Sequence, residues 1–383
     1  MDKKKEILFN LNNFLLSTSI VLDYVNNEKK ATKLGHLKRV GYVALSLGVI
    51  LKLDNKQLSD LCSYSLCSSL ALNQANDNKT LCELSNEYVK DFPFIQKQKD
   101  ILLYQKEHFD GSGIFGLKNE QIPLFSQIIF FATNLDEEFD LSSFDPVKKE
   151  KILNYIKSNE NKLFSKQIVD SFFKINESIN FWLDLENESD ILLFIYTLLE
   201  DFSQALKFEE LLKIANVFLK LVEPQSKLLD NIGKISDFYA LEHKDKITLQ
   251  IAAGFCKIGK LAVSKDILEK IEPLDIYEKE QIKTYPYYTK KVLSNIMGFN
   301  DIASWAMKVQ ERLDASGYIF GFENKSLSFK DRVLINANVY DALLQEKAYR
   351  RAYTKEEAIK IMKNESSKLD ISITNDMAVI FKI

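Results

Sequence analysis

Apolar residues in this chain are spaced almost everywhere as in an α-helix. One stripe with spacings of three or four consists of Phe208, Leu211, Leu212, Ala215, Phe218, Leu219 and Val222, and Pro224 follows it. Only 12 Gly and 6 Pro interrupt the 383 residues, and alternating strand patterns are scarce. The sequence therefore predicts an all-α fold.

A short motif occurs twice along the chain. Residues 107–116 read EHFDGSGIFG and residues 311–321 read ERLDASGYIFG, so Glu107 and Asp110 recur at one constant offset as Glu311 and Asp314. A polar turn, a short apolar stretch and a helix-like segment follow both copies in the same order. The order predicts a tandem duplication of a helical unit.

At these residues the chain resembles the HD-GYP family, which are metal-dependent phosphodiesterases of cyclic di-GMP within the wider His-Asp phosphohydrolase superfamily. The second copy is the closer match, through YPYYTKKVL, QERLDASGYIFG and NVYDALLQEKAYRRAYTKEEA. The resemblance covers most of 226–365 and, more weakly, about 33–140. It implies two HD-like helical bundle units joined by a helical middle section. We expect a degenerate HD-like domain at 1–144, a helical connector at 145–207 and a degenerate HD-GYP-like domain at 208–383.

The resemblance also places the family's metal ligands, and these positions have lost their donors. A metal pair that activates water needs imidazoles and carboxylates, whereas this chain contains three His. In the second copy the aligned positions hold Cys256, Lys257, Tyr285, Val309, Gln310 and Asn338. Lys257 replaces a carboxylate and would repel a metal. We therefore expect no metal, no cofactor and no catalytic residue.

The first copy shows the same loss. Its aligned positions are Cys67 and Ser68 for the His-Asp pair, Gln105 and Lys106 for the paired His, and Thr133 for the last Asp. His36 aligns with the upstream His of the superfamily, but it also suits a polar residue at the start of an apolar helix. The coordinated loss predicts a pseudoenzyme.

The repeated loop has two interpretations. An Asp-x-Ser-Gly segment holds a fixed turn by itself, because the Asp side chain accepts a hydrogen bond from a backbone amide two residues on. In the second interpretation the loop borders a cleft for a cyclic dinucleotide, and the candidate contacts are Lys257, Lys260, Arg312, Asp314 and Tyr318. Downstream, Thr354 followed by Glu357 predicts a helix capping box.

Three functions remain open from the sequence. We favour a catalytically inactive signalling protein that acts as an adaptor or scaffold by binding another protein. The alternatives are a non-hydrolytic sensor of cyclic di-GMP or a related nucleotide, and a residual metal-dependent phosphodiesterase.

Composition narrows the setting. The formal net charge of −3 gives no electrostatic footprint for nucleic acid, and the final segment ISITNDMAVIFKI is too short for a DNA-binding tail. No stretch approaches the ~20 apolar residues of a membrane span. Four Cys lie among apolar neighbours without a disulfide or C-x-x-C pattern. We therefore expect a cytoplasmic protein with reduced thiols.

Overall fold

The structure is a computed structural model that describes residues 6–383. It divides into two compact units. The amino-terminal unit is Asn10–Gln204, and the carboxy-terminal unit is Ala205–Ile383 together with the strand Glu6–Phe9. Almost all regular structure is helical, which confirms the all-α prediction. The predicted boundaries at 144 and 207 stay a prediction.

The amino-terminal unit is built around one central helix. Its helices are α1 (Leu11–Lys30), α2 (His36–Ile50), α3 (Asn55–Leu66), α4 (Asn78–Tyr88), α5 (Leu124–Phe139), α6 (Pro146–Ser158), α7 (Lys166–Ile175), α8 (Ile179–Asp184) and α9 (Glu188–Leu198). Helix α2 packs against α1, α3, α5, α7 and α9. Its sequence HLKRVGYVALSLGVI is apolar on nearly every side, as a helix surrounded by others requires.

The carboxy-terminal unit begins with a two-stranded sheet of β1 (Glu6–Phe9) and β2 (Gln204–Lys207). Its helices are α10 (Phe208–Val222), α11 (Leu228–Phe238), α12 (His243–Phe255), α13 (Lys265–Leu268), α14 (Ile276–Lys283), α15 (Tyr285–Leu293), α16 (Asn300–Ala306), α17 (Phe329–Leu344), α18 (Lys355–Asn364) and α19 (Ile371–Ile380). Helix α12 is central here and packs against α10, α11, α16 and α17.

Local sequence signals set several helix starts. Side chains of Asp54, Asp275 and Ser328 accept the backbone amide three residues on, as N-cap residues do. The predicted capping box at Thr354 and Glu357 is confirmed at the start of α18. These caps fix where the helices begin, and so which residues reach the loops between them.

Two sequence expectations concern surroundings rather than fold. Within the described residues, no helix combines the length and apolar character that a bilayer crossing requires. All four Cys are buried and unpaired, and burial raises the pKa of the Cys62 and Cys256 thiols to about 12. These thiols are therefore poor nucleophiles.

Candidate functional site

A buried ion network lies where α10, α12 and α17 meet in the carboxy-terminal unit. Lys257 follows α12 and is 2% exposed. Its ammonium nitrogen lies 2.5 Å from Glu223 Oε2, at the end of α10, and 3.4 Å from Asp341 Oδ2 in α17. Three helices are thus joined through one lysine.

Two further lysines complete this network, which we call the Lys257 cluster (Glu223, Lys257, Lys260, Asp341 and Lys347). Lys260 Nζ lies 2.7 Å and Lys347 Nζ 3.8 Å from Glu223 Oε1. The cluster therefore holds three cations against two carboxylates. Lys260 and Lys347 are partly exposed, whereas Lys257 is enclosed.

The cluster remains charged despite burial. Burial lowers the pKa of Lys257, but the carboxylates of Glu223 and Asp341 outweigh it and leave that pKa raised. Burial likewise raises the pKa of Glu223, but Lys260 and Lys257 outweigh it and hold it well below the usual range. An ionised Glu223 in this setting is a strong hydrogen-bond acceptor and a weak base.

An aromatic wall adjoins the cluster. Tyr285 is buried at the start of α15, and its hydroxyl accepts a 2.7 Å hydrogen bond from Gln310 Nε2. Lys260 Nζ lies 5.6 Å from the centre of the Tyr285 ring. A Cβ on Gly259 would lie 1.9 Å from the Tyr285 carbonyl oxygen, so glycine is what allows this close approach.

The structure brings together several of the residues that the sequence singled out. Cys256, Lys257 and Lys260 share one short segment, and Tyr285 and Gln310 are hydrogen-bonded beside it. Arg312 and Tyr318 extend this group: Arg312 Nη2 donates to Gln310 Oε1 over 3.3 Å, and Tyr318 and Tyr285 are close enough to interact electrostatically.

Other predicted residues have different surroundings. Val309 is fully buried among apolar residues, and Asp314 is exposed and accepts the Ser316 amide within its own turn. Asn338 is buried one helical turn before Asp341, and its Oδ1 has no hydrogen-bond partner among the described residues. The Asp314 geometry is the one expected for a self-supporting turn.

Sequence reasoning missed the two carboxylates that hold Lys257. Glu223 and Asp341 lie outside the aligned ligand positions. A lysine in the apolar segment AAGFCKIG is itself a signal, because a buried ammonium requires a carboxylate partner. That signal could have directed a search for acidic residues at neighbouring helix ends.

The repeated motif has the same geometry in both units, and its glutamates are what hold it. Glu107 accepts the amides of Phe115 and Leu117, and Glu311 accepts those of Phe320 and Phe322. Both glutamates are buried.

In the amino-terminal unit the aligned positions do not form an ion network like the Lys257 cluster. Cys67 and Ser68 are buried, and Thr133 donates its hydroxyl to carbonyls of its own helix. His36 is the first residue of α2, and its Nδ1 lies 2.6 Å from Asp136 Oδ2. Arg39 also donates to both oxygens of Asp136.

The family's implied metal pair can be tested against these side chains. Among residues 6–383 no group of three or more His, Cys, Asp and Glu is placed to hold a metal ion. In the carboxy-terminal unit an ammonium lies between the two available carboxylates, and in the amino-terminal unit Arg39 takes both oxygens of Asp136. The residues present therefore do not fit a bridged metal pair.

Comparisons with known proteins give the chain its relatives. Residues 208–373 match the family model of the HD domain. The chain is 27% identical to 3'3'-cGAMP-specific phosphodiesterase 3 of Vibrio cholerae over 74% of its own length and 63% of the relative's, a little under two thirds. It is 23% identical to 3'3'-cGAMP-specific phosphodiesterase 1 of the same organism, over 87% of this chain and 84% of the relative.

A solved structure supports the fold. The crystal structure of a cyclic GMP-AMP specific phosphodiesterase from V. cholerae superimposes with a TM-score of 0.66 over 99% of this chain and 98% of that chain, at 21% identity. At this identity the likeness establishes a shared fold. It agrees with the HD-domain match and with the predicted resemblance.

These comparisons correct the functional prediction. The interpretation as a non-enzyme that serves as an adaptor or scaffold is wrong, because relatives that align over most of the chain are phosphodiesterases. Counting lost ligands at aligned positions gave too much weight to a few side chains and too little to the relationship across the whole chain. The predicted protein partner and the tandem duplication find no support in these comparisons either.

Proposed function

We propose that this HD-superfamily phosphohydrolase-like protein hydrolyses a phosphodiester bond of a cyclic dinucleotide, with 3'3'-cGAMP as the first candidate substrate. The observation that carries the proposal is the alignment with two 3'3'-cGAMP-specific phosphodiesterases over 74% and 87% of the chain. A shorter match, 30% identical over 30% of the chain, to a cyclic di-GMP phosphodiesterase of Borreliella burgdorferi makes cyclic di-GMP the second candidate.

The Lys257 cluster supplies cations suited to a phosphodiester. Lys260 and Lys347 are its partly exposed members, and the cluster holds more ammonium groups than carboxylates. Ammonium groups bind phosphate oxygens through charge-assisted hydrogen bonds. We assign Lys260 and Lys347 to substrate binding, with Arg312 and Tyr318 at the adjoining wall.

The reaction assigned to this site is attack of water on phosphorus. A bond forms between the water oxygen and phosphorus, the bond from phosphorus to one ribose oxygen breaks, and that oxygen takes a proton. The product is a linear dinucleotide. Fixed cations favour this reaction where negative charge grows on the phosphate oxygens. No step is assigned to a metal, because the side chains present do not fit one.

The test is turnover by the full chain. The protein is incubated with 3'3'-cGAMP or with cyclic di-GMP, in parallel with Mn²⁺, with Mg²⁺ and with a chelator, and products are separated by chromatography. We expect a linear dinucleotide in the chelator arm as well, since no metal step is assigned. Activity only with metal would contradict the metal-free assignment. Binding without any product at stoichiometric protein would refute hydrolysis.

A further inference from the structure

A second buried charge cluster lies in the amino-terminal unit, and we call it the Lys106 cluster (Lys30, Lys106 and Glu137). Lys30 Nζ lies 2.6 Å from Glu137 Oε1, and Lys106 Nζ lies 3.3 Å from the same oxygen. The side chains are only 17%, 9% and 22% exposed, in that order. One carboxylate thus lies between two ammonium groups.

The cluster carries more positive charge than it can neutralise. Burial and the neighbouring charge of Lys106 lower the pKa of Lys30 to about 8. Burial raises the pKa of Glu137, but Lys106 and Lys30 outweigh it and bring it to about 2. Glu137 is therefore ionised, and one positive charge remains over.

Two fully buried polar side chains border this excess charge. Gln105 is 0% exposed, and neither its amide nitrogen nor its amide oxygen has a hydrogen-bond partner among the described residues. The Gln105 amide and the charges of Lys106 and Lys30 all act on the pKa of the Cys82 thiol, which places these groups around one point.

His36 contributes the second unpartnered group. Its Nδ1 lies against Asp136, while Nε2 is buried without a hydrogen-bond partner in the described chain. Its charge also acts on the pKa of Glu137, so the ring adjoins the Lys106 cluster. Buried polar atoms are nearly always bonded to protein, ligand or ordered water. Unpartnered atoms on two side chains beside excess positive charge therefore point to a bound species.

We infer that Lys30, Lys106, Gln105 and His36 bind a phosphate-type oxyanion in the amino-terminal unit. An oxyanion presents several acceptors to ammonium and amide N–H groups. A metal cation is disfavoured by the two lysines, and a neutral ligand leaves the extra charge unpaired. The inference goes beyond the proposed phosphodiesterase activity, because all four residues lie in the amino-terminal unit, outside the Lys257 cluster.

Calorimetry on the full chain tests the inference with inorganic phosphate as the probe. We expect saturable binding, and Lys106→Gln should weaken it by roughly tenfold or more, as the loss of a charge-assisted hydrogen bond does. Lys166→Gln is the matched control, because Lys166 pairs with Asp170 on the surface of the same unit. It should leave phosphate affinity unchanged. Absence of saturable phosphate binding, with no Lys106-dependent binding of 3'3'-cGAMP, would overturn the inference.

The second arm, with 3'3'-cGAMP, distinguishes the source of the anion. Binding of the dinucleotide that Lys106→Gln abolishes assigns the site to a nucleotide phosphate, whereas phosphate binding alone assigns it to the free ion. Dinucleotide binding that survives Lys106→Gln belongs to the carboxy-terminal unit and gives the inference no support.

A variant of Gln105 separates an anion from ordered water. Gln105→Leu keeps the side-chain volume and removes both unpartnered amide atoms. We expect it to keep or raise the melting temperature without phosphate and to weaken phosphate binding. If water alone satisfies these groups, phosphate affinity will be the same in Gln105→Leu as in the wild type, and the inference fails.

Discussion

The ammonium of Lys257 is bound by the carboxylate of Glu223 at 2.5 Å in a setting where both side chains are buried. Lys257 is also the residue that the family resemblance places at a metal-ligand carboxylate. A fixed cation has thus taken a position beside carboxylates that a metal ion would otherwise need. The consequence for stability is direct, because the charge belongs to the chain and cannot be removed by a chelator.

Replacing Lys257 with methionine should destabilise the carboxy-terminal unit strongly. Lys257→Met keeps an unbranched side chain of similar length but leaves Glu223 and Asp341 buried with one fewer cation. Breaking a buried ion pair at one partner costs about 3–5 kcal/mol. Urea denaturation, followed by circular dichroism, measures the loss in unfolding free energy.

Two comparisons make this result specific. Lys283→Met removes a surface lysine paired with Glu280 and should change the unfolding free energy by less than about 1 kcal/mol. The double variant Lys257→Met with Glu223→Gln should recover part of the stability, since it removes the unpaired charge. Equal losses for Lys257→Met and Lys283→Met would contradict the account of the cluster.

The sequence predicted the fold well because the helical signal is local. Spacing of apolar residues and capping pairs such as Thr354 and Glu357 depend on neighbours within a few positions, so one sequence carries them. The repeated motif likewise predicted a turn at Asp110 and Asp314, and both aspartates accept the amide two residues on.

The candidate site was less accessible to prediction because its partners are distant in sequence. Lys257 binds Glu223 and Asp341, each dozens of residues away, and nothing local marks either carboxylate as its partner. The roles of Glu107 and Glu311 were missed for a related reason: their bonds reach backbone amides, which every residue offers.

Neutralising Glu311 should loosen the loop that it holds. Glu311 is fully buried, and its two oxygens accept the amides of Phe320 and Phe322 at 2.9 Å each. Glu311→Gln replaces one acceptor with an amide NH₂ that faces a backbone N–H, so at least one charge-assisted bond is lost. We expect a loss of about 2 kcal/mol in unfolding free energy, and faster amide exchange at Phe320 and Phe322.

The first motif copy offers an internal repeat of this experiment. Glu107→Gln should give a similar loss, because Glu107 accepts the amides of Phe115 and Leu117 in the same way. Glu323→Gln, at an exposed side chain, serves as the control. If the Glu311 and Glu107 variants are as stable as the Glu323 variant, these hydrogen bonds do not hold the loops.

Acid should destabilise the amino-terminal unit through Asp136. Burial raises the pKa of Asp136, but His36 and Arg39 outweigh it and lower that pKa from 3.8 to about 2. A carboxyl with a depressed folded-state pKa stabilises fully above its unfolded pKa, and the contribution disappears as pH falls through the folded value. The shift corresponds to about 2 kcal/mol, lost between roughly pH 4 and pH 2.

Asp136→Asn tests that assignment by pH titration of unfolding free energy. The variant should be less stable than the wild type at neutral pH, and the difference should shrink as pH falls from about 4 to about 2. Asp170→Asn, at an exposed surface pair, should follow the wild-type profile. A difference between wild type and Asp136→Asn that stays constant across this range would exclude Asp136 as the titrating group.

Lys260 separates a role in substrate binding from a role in folding. It is a partly exposed member of the Lys257 cluster, and Glu223 keeps its other oxygen on Lys257 when Lys260 is changed. Lys260→Gln should therefore lower kcat/KM for 3'3'-cGAMP by roughly tenfold or more, as the loss of one charge-assisted contact does, while destabilising the fold less than Lys257→Met. The control is Lys265→Gln, a nearby surface lysine paired with Glu269. Unchanged kcat/KM in Lys260→Gln would move the substrate phosphate away from this cluster.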